Sequence, residues 1–320
     1  MREVLNTAHH VSQVSTHVGI NKEAIAGFSR GLSEGGIKVP PWSRVYHFCG
    51  SGQDTVAYLL VLDSINFCFW PASEGTRWEI EFASRRLSGY YALAASLKQA
   101  IEAGIPLTSA EYLAELSFEA FREILGGRGE LQLMEDRVKI LNELGHFLVE
   151  EFRGEASGLV EAAEGSAEKL VELLVERLPS FRDSAGYMGR RVYFYKRAQI
   201  FCADLYGAFE GRRWGQFRDV DGLTAFADYK LPQVLRHLGI LHYDEALAER
   251  IDRKIPLLAG SPEEIEIRAN TIWAVDMIRR ELSRLRRQLR AFEVDWILWN
   301  LGQQGEFTTR PHHRTITIFY

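Results

Sequence analysis

The chain has only three cysteines among its 320 residues, Cys49, Cys68 and Cys202, far apart and in no C-x-x-C pair. That argues against a disulfide framework or a structural zinc site and fits a reducing, cytoplasmic setting. An excess of positive charge is also missing: 38 Lys and Arg face 43 Asp and Glu, a formal net charge of −5. No global field therefore exists to hold a long nucleic acid by counterion release, although a small anionic ligand needs only a local basic pocket. Long apolar runs are absent. The longest, Val56 to Trp70, is broken by Asp63, Ser64 and Asn66, and the stretch Met1 to His10 is polar. No membrane span and no signal peptide are expected.

Several chemical signatures are lacking too. There is no Walker loop, no G-x-S-x-G elbow, and Gly50-Ser51-Gly52 lacks the third glycine of a dinucleotide fingerprint. His9 with His10 and His312 with His313 are adjacent pairs, which face different ways on a strand or loop rather than gripping one ion. Neither a metal nor a cofactor is expected.

What the chain does have is apolar mass: 46% of residues are hydrophobic and 12% aromatic, enough for a sizeable core. The first 88 residues read as a mixed α/β part, with Arg44 to Phe48 and the alternating Arg77 to Phe82 as candidate strands. From Gly89 the apolar period becomes helical, at Ala92–Lys98, Ser109–Leu116, Leu131–Phe152 and Ala163–Leu178. The longest helix is expected over Pro262 to Arg290, opened by a Ser261 cap, a first-turn proline and Glu263 and Glu264. Residues 313–320 read as a terminal strand that pairs with the N-terminal strands. No linker or repeat appears, so residues 1–320 are expected to form a single, mainly α domain with a small β element.

Four segments have side chains suited to chemistry. Asp228 precedes a helix that holds Pro232 near its start and stops at Gly239. An ionised carboxylate there suits either a plain helix cap or a group that stabilises a developing sugar cation. Tyr193 to Leu205 reads as one aromatic-rich helix carrying Lys196, Arg197 and Asp204. Arg197 and Asp204 as a structural ion pair, and Lys196 as an anion or sugar contact, are the two readings. Asn66 to Pro71 combines aromatic faces with an amide able to meet a base edge, or is core packing. Asp295 and Trp299 lie one helical turn apart, in a ligand wall or an amphipathic terminal helix. The arginines from Arg279 to Arg290 share a helix with an apolar stripe and are expected to be a solvated face.

Taken together, Asn66 to Pro71, Phe194 to Asp204, Phe226 to Leu238 with its Phe-Ala-Asp-Tyr-Lys-Leu-Pro-Gln core, Glu264 to Ile278 and His313 to Tyr320 resemble the queuosine salvage protein family. The resemblance spans nearly the whole chain. It implies a helical fold reminiscent of DNA glycosylases and hydrolysis of the bond between ribose and the 7-deazaguanine base queuine, in queuosine 5'-monophosphate or queuosine. It implies Asp228 as the catalytic carboxylate, assisted by Lys196 at the ribose or 5'-phosphate. Phe67, Trp70, Tyr229 and Trp299 would wall the base, Asp295 would bind the base or its cyclopentenediol, and Asn66, Asp204, Gln233 and Arg314 would add polar contacts. The expected partner is this small substrate, with no stable nucleic-acid partner, no membrane, and the oligomeric state open. A DNA or RNA base glycosylase and a non-catalytic helical nucleotide-binding protein are the competing readings.

Overall fold

The computed structural model describes residues 1–72 and 75–320, and among them the fold is mainly helical, with three two-stranded antiparallel pairs. The pairs are Val18–Ile20 with Leu241–Tyr243, Glu79–Phe82 with Arg85–Ser88, and Ser184–Tyr187 with Arg190–Tyr193.

The longest helix runs from Pro262 to Arg284, and Ser261 caps it by accepting the Glu264 amide at 3.3 Å. Ile265, Ala269 and Ile272 on this helix enter one apolar core, while Ile267, Ala274, Val275, Ile278 and Leu282 enter a second. One rod therefore serves both cores. It stops at Arg284 and not at Arg290: Arg286 takes the left-handed conformation at φ 62°, and Arg287 turns to donate to the carbonyls of Leu32 and Ile37. Arg290 then opens the next helix, Ala291–Leu301.

Two expected strands do not form. Arg44 to Phe48 is a turn, in which His47 stacks on Trp42 at 4.4 Å and Tyr46 leans on Tyr91 at 4.5 Å, so its aromatic rings are spent on side-chain packing. Thr315 to Tyr320 keeps a strand's alternation, with Thr315 and Thr317 inward and Ile316 outward, but among the described residues it pairs with no strand. Its Tyr320 carbonyl accepts the Cys68 amide at 2.9 Å. A third expectation is also corrected. Tyr193 ends a strand and Tyr195 is left-handed at φ 49°, so the helix begins only at Lys196. The cause is Asp183, whose carbonyl takes the amides of Phe194 and Tyr195 and whose carboxylate takes that of Lys196.

Glu266 ties the N-terminal segment to the long helix, accepting the amides of Thr16, His17 and Val18 and the Tyr187 hydroxyl at 2.7 to 3.0 Å. Beside it His17 Nδ1 meets Asp244 Oδ2 at 2.6 Å, and Asp244 caps the helix Glu245–Asp252 through the Leu247 amide. The Asp244 hydrogen bond holds the His17 imidazolium above its ordinary 6.5. For Asp244, burial is outweighed by the Leu247 amide and His17, which hold it below 3.8. The histidine's share of stability is thus complete below pH 6.5 and lost as pH rises through its folded value. The aspartate's is complete above pH 3.8 and lost on acidification. Replacing His17 with Gln is expected to cost under about 1 kcal/mol, because both groups are a third exposed. Urea melts should find that cost near pH 5.5 and find it vanishing in the alkaline range.

Candidate functional site

Asp228 sits at the turn into the helix Lys230–His237, where its Oδ1 accepts the amides of Lys230 at 2.7 Å and Leu231 at 2.9 Å. The cap is real, yet the carboxylate is buried and also lines a cavity of about 160 Å³. Because Oδ1 takes both amides, Oδ2 is left for the cavity.

Lys196, Ile200 and Asp204 follow at intervals of four on the helix Lys196–Ala208, which turns all three toward the same cavity. Lys196 is buried, and its Nζ donates to the Asn66 carbonyl at 2.8 Å. Asp295, from the helix Ala291–Leu301, accepts the Phe226 amide at 2.7 Å and so reaches the turn that holds Asp228. One turn further, Trp299 meets Tyr90 and Tyr91 edge to face, with centroids 5.8 and 5.3 Å away. Phe67 and Tyr229 complete the aromatic wall.

The carboxyl groups share burial and differ in donors. Burial raises Asp228, while Lys196, the amides of Leu231 and Lys230 and the Lys230 ammonium pull it back toward the anion. Lys196 is lowered to about 8 by burial, with Asp228 as the main group sustaining its charge. Asp295 has one amide donor and the negative Asp228 nearby, and burial pushes it well above the carboxylate range. Both are raised, Asp295 much further, so Asp228 is the better furnished of the two for carrying charge. Asp204 rises to about 7 through burial, against the Tyr90 hydroxyl.

Tyr90 is the middle of a short relay. His47 Nδ1 lies 2.5 Å from the Ser43 carbonyl, His47 Nε2 lies 2.8 Å from the Tyr90 hydroxyl, and that oxygen is 3.2 Å from Asp204 Oδ2. Burial lowers His47 to about 4, so the ring is neutral. The Tyr90 hydroxyl donates to Asp204 Oδ2, the contact that opposes the effect of burial there, and the neutral His47 ring gives Nδ1–H to the Ser43 carbonyl.

Asn66, Phe67, Lys196, Asp204, Asp228, Tyr229, Asp295 and Trp299 thus meet in one cavity. Trp70, Gln233 and Arg314 do not line it. Arg314 lies over the Trp70 ring at 5.4 Å, and Gln233 donates to the Arg310 carbonyl at 2.6 Å. Arg197 does not pair with Asp204; it donates to the carbonyls of Ser64 and Ser180. Sequence reasoning assigned no role to His47, Tyr90, Tyr91 or Arg77, which line the cavity. The aromatic pair after Ser88-Gly89, at the start of the helix Gly89–Glu102, was the available signal. Among the described residues no three His, Cys, Asp or Glu side chains come together to hold a metal ion, and no helix is long and apolar enough to cross a membrane.

Residues 46–320 match the family described as queuosine salvage protein. The chain belongs to that family. It is 48% identical over 317 residues to the queuosine 5'-phosphate N-glycosylase/hydrolase of Sphaerobacter thermophilus, spanning 99% of this chain and 97% of that protein. The protein of the same name from Dictyostelium discoideum is 37% identical over 330 residues, covering 99% and 98%. The one from Mus musculus is 37% identical over 296 residues, covering 88% of each. The strings around Lys196, Asp228 and Arg268 all lie inside the matched family region.

In this family member the cavity is braced by Arg268, which is buried, donates to both oxygens of Asp183 at 2.8 and 2.7 Å and to the Ala227 carbonyl at 3.1 Å. Arg268→Met leaves Asp183 charged and unpaired in the interior and should cost about 3–5 kcal/mol in chemical denaturation. Adding Asp183→Asn should recover part of that loss. A single-variant cost below ~1 kcal/mol would refute the bracing role.

Proposed function

We propose that this chain hydrolyses the N-glycosidic bond of queuosine 5'-monophosphate or queuosine and releases queuine. The observation that carries the reading is Asp228: a buried carboxylate whose charged form two amides and Lys196 favour against burial, lining an aromatic-walled cavity. A 7-deazaguanine lacks the N7 whose protonation helps a purine leave, so cleavage depends on stabilising positive charge at the sugar and on hydrogen bonds to the departing base. The anion at Asp228 answers the first demand and orients the attacking water. Asp295, pushed by burial well above the carboxylate range, answers the second as a donor to the base. Phe67, Tyr229 and Trp299 offer faces on which a planar base stacks.

The whole chain is read as one domain, supported by the long helix common to both cores. The free Cys49, Cys68 and Cys202 fit a cytoplasmic setting. Against a polynucleotide substrate stands the use of the arginine-rich helix: Arg279 and Arg280 pair with Asp276, Arg284 with Glu281, and Arg290 with Asp221 and Glu293.

Purified protein incubated with queuosine 5'-monophosphate should release queuine, read by chromatography, while guanosine 5'-monophosphate stays intact. Asp228→Asn keeps an oxygen for the two amides and removes the charge. It should fold normally and lose ~10³-fold or more in kcat, and full activity would end the proposed role. The pH profile should fall on the alkaline side near 8, as Lys196 loses its proton. Because Lys196 lowers Asp228, Lys196→Met should move the acid limb to higher pH.

A further inference from the structure

The stretch that delivers Asp228 to the cavity has no helix or strand of its own. From Thr224 to Asp228, among the described residues, no main-chain group bonds to another main-chain group. Leu223, Thr224 and Ala225 border a second cavity, of about 350 Å³, while Phe226 and Asp228 border the first, so each part of the stretch has an open side. Buried backbone without such partners must be held by side chains. Three buried ones hold it, from three helices: Asp295 accepts the Phe226 amide, Arg268 donates to the Ala227 carbonyl, and Gln199 accepts the Thr224 amide at 2.8 Å.

Gln199 is the one of the three that the glycosidic chemistry leaves without a role. It is fully buried and its whole amide is used: Oε1 takes the Thr224 amide, while Nε2 donates to the Phe194 carbonyl at 2.9 Å and to Thr224 Oγ1 at 3.1 Å. It also stands on the helix Lys196–Ala208, three residues after Lys196. Arg268 joins that helix to the Asp228 stretch by way of Asp183, whereas Gln199 joins them within a single side chain. The charge on Asp228 depends on the join. Burial raises Asp228 and Lys196 is the main group opposing it, with Lys230 adding to Lys196 and Asp295 facing from the third helix. In a dry site the attraction between two charges is strong, so a small change in their separation is felt.

We propose that Gln199 is a positioning residue: by clamping Thr224 to the first turn of the Lys196 helix, it fixes the distance between the Lys196 ammonium and the Asp228 carboxylate. This rests on the reading of Asp228 as the working carboxylate of the hydrolase. The grip is on the Thr224 amide, and the Thr224 hydroxyl is secondary to it.

The test follows the Asp228 carboxyl carbon by NMR across pH, its signal assigned by its loss in Asp228→Asn, beside kcat and KM for queuosine 5'-monophosphate. Gln199→Met removes the grip, and Thr224→Val removes only the hydroxyl. In Gln199→Met the Asp228 midpoint should rise by about half a pH unit or more, and kcat should fall ~10-fold or more with KM changed less than about threefold. Thr224→Val should keep the midpoint and kcat near those of the intact protein. If Gln199→Met does not fold, Gln199→Asn, one methylene too short to reach Thr224, has the same expected outcome. An unmoved midpoint in a folded Gln199 variant, an equal rise in Thr224→Val, or a loss in urea stability alone would overturn the proposal. The carbon signal needs no turnover, so a raised midpoint supports the clamp even if no queuine is released and the hydrolase reading fails.

Discussion

Arg268 reaches from the long helix into the interior and holds the pieces of the site in one frame. Its two donors grip Asp183, which in turn fixes the first residues of the helix carrying Lys196. Its third donor takes the carbonyl of Ala227, the residue before Asp228, and its face covers Phe194 at 3.9 Å and Tyr320 at 4.3 Å. A paired and fully hydrogen-bonded guanidinium tolerates burial that a lone one does not, and its fork geometry permits few alternative arrangements. Lys196 and Asp228 come from segments 32 positions apart in sequence numbering. Their adjacency is a property of this clasp and not of either local motif.

Within that frame, the number of donors decides which carboxyl group holds a proton. All of Asp63, Asp204, Asp228 and Asp295 are raised by burial. Asp228 receives two amides and the field of two ammonium groups, Asp295 one amide, and Asp204 is tied to the Tyr90 hydroxyl. Asp63 does not line the cavity, and burial pushes it well above the carboxylate range. Two ammonium groups cannot sustain four anions in a dry interior, so charge is favoured where the donors are. Among these acids Asp228 is the one best supplied with donors for its charged form.

Local signals in the sequence identified the features that depend on near neighbours. The Ser261 cap and Pro262 and the Asp228 turn are decided within a few residues, and the family strings carry Lys196 and Asp228. Arg44 to Phe48 and Thr315 to Tyr320 have strand-like composition, but a strand also requires an open edge, and that depends on distant parts of the chain. The fate of Arg197 was hidden for the same reason, because its acceptors are main-chain carbonyls, which no sequence pattern displays. Tyr90, His47 and Arg77 were overlooked because an isolated aromatic or cation has no meaning until tertiary packing aims it.

The loop that carries Asn66 and Phe67 shows how recognition and scaffolding are divided. Arg137 donates to the carbonyls of Ile65, Phe67 and Cys68, Arg197 to that of Ser64, and Lys196 to that of Asn66. The Phe67 ring lies beneath both guanidinium groups, 4.2 and 5.2 Å from their centres. The grip is on the main chain, which every amino acid shares, so the side chain at position 66 bears little of the loop's anchoring. The side chain at that position can change while the main-chain grip beneath it keeps the loop's shape.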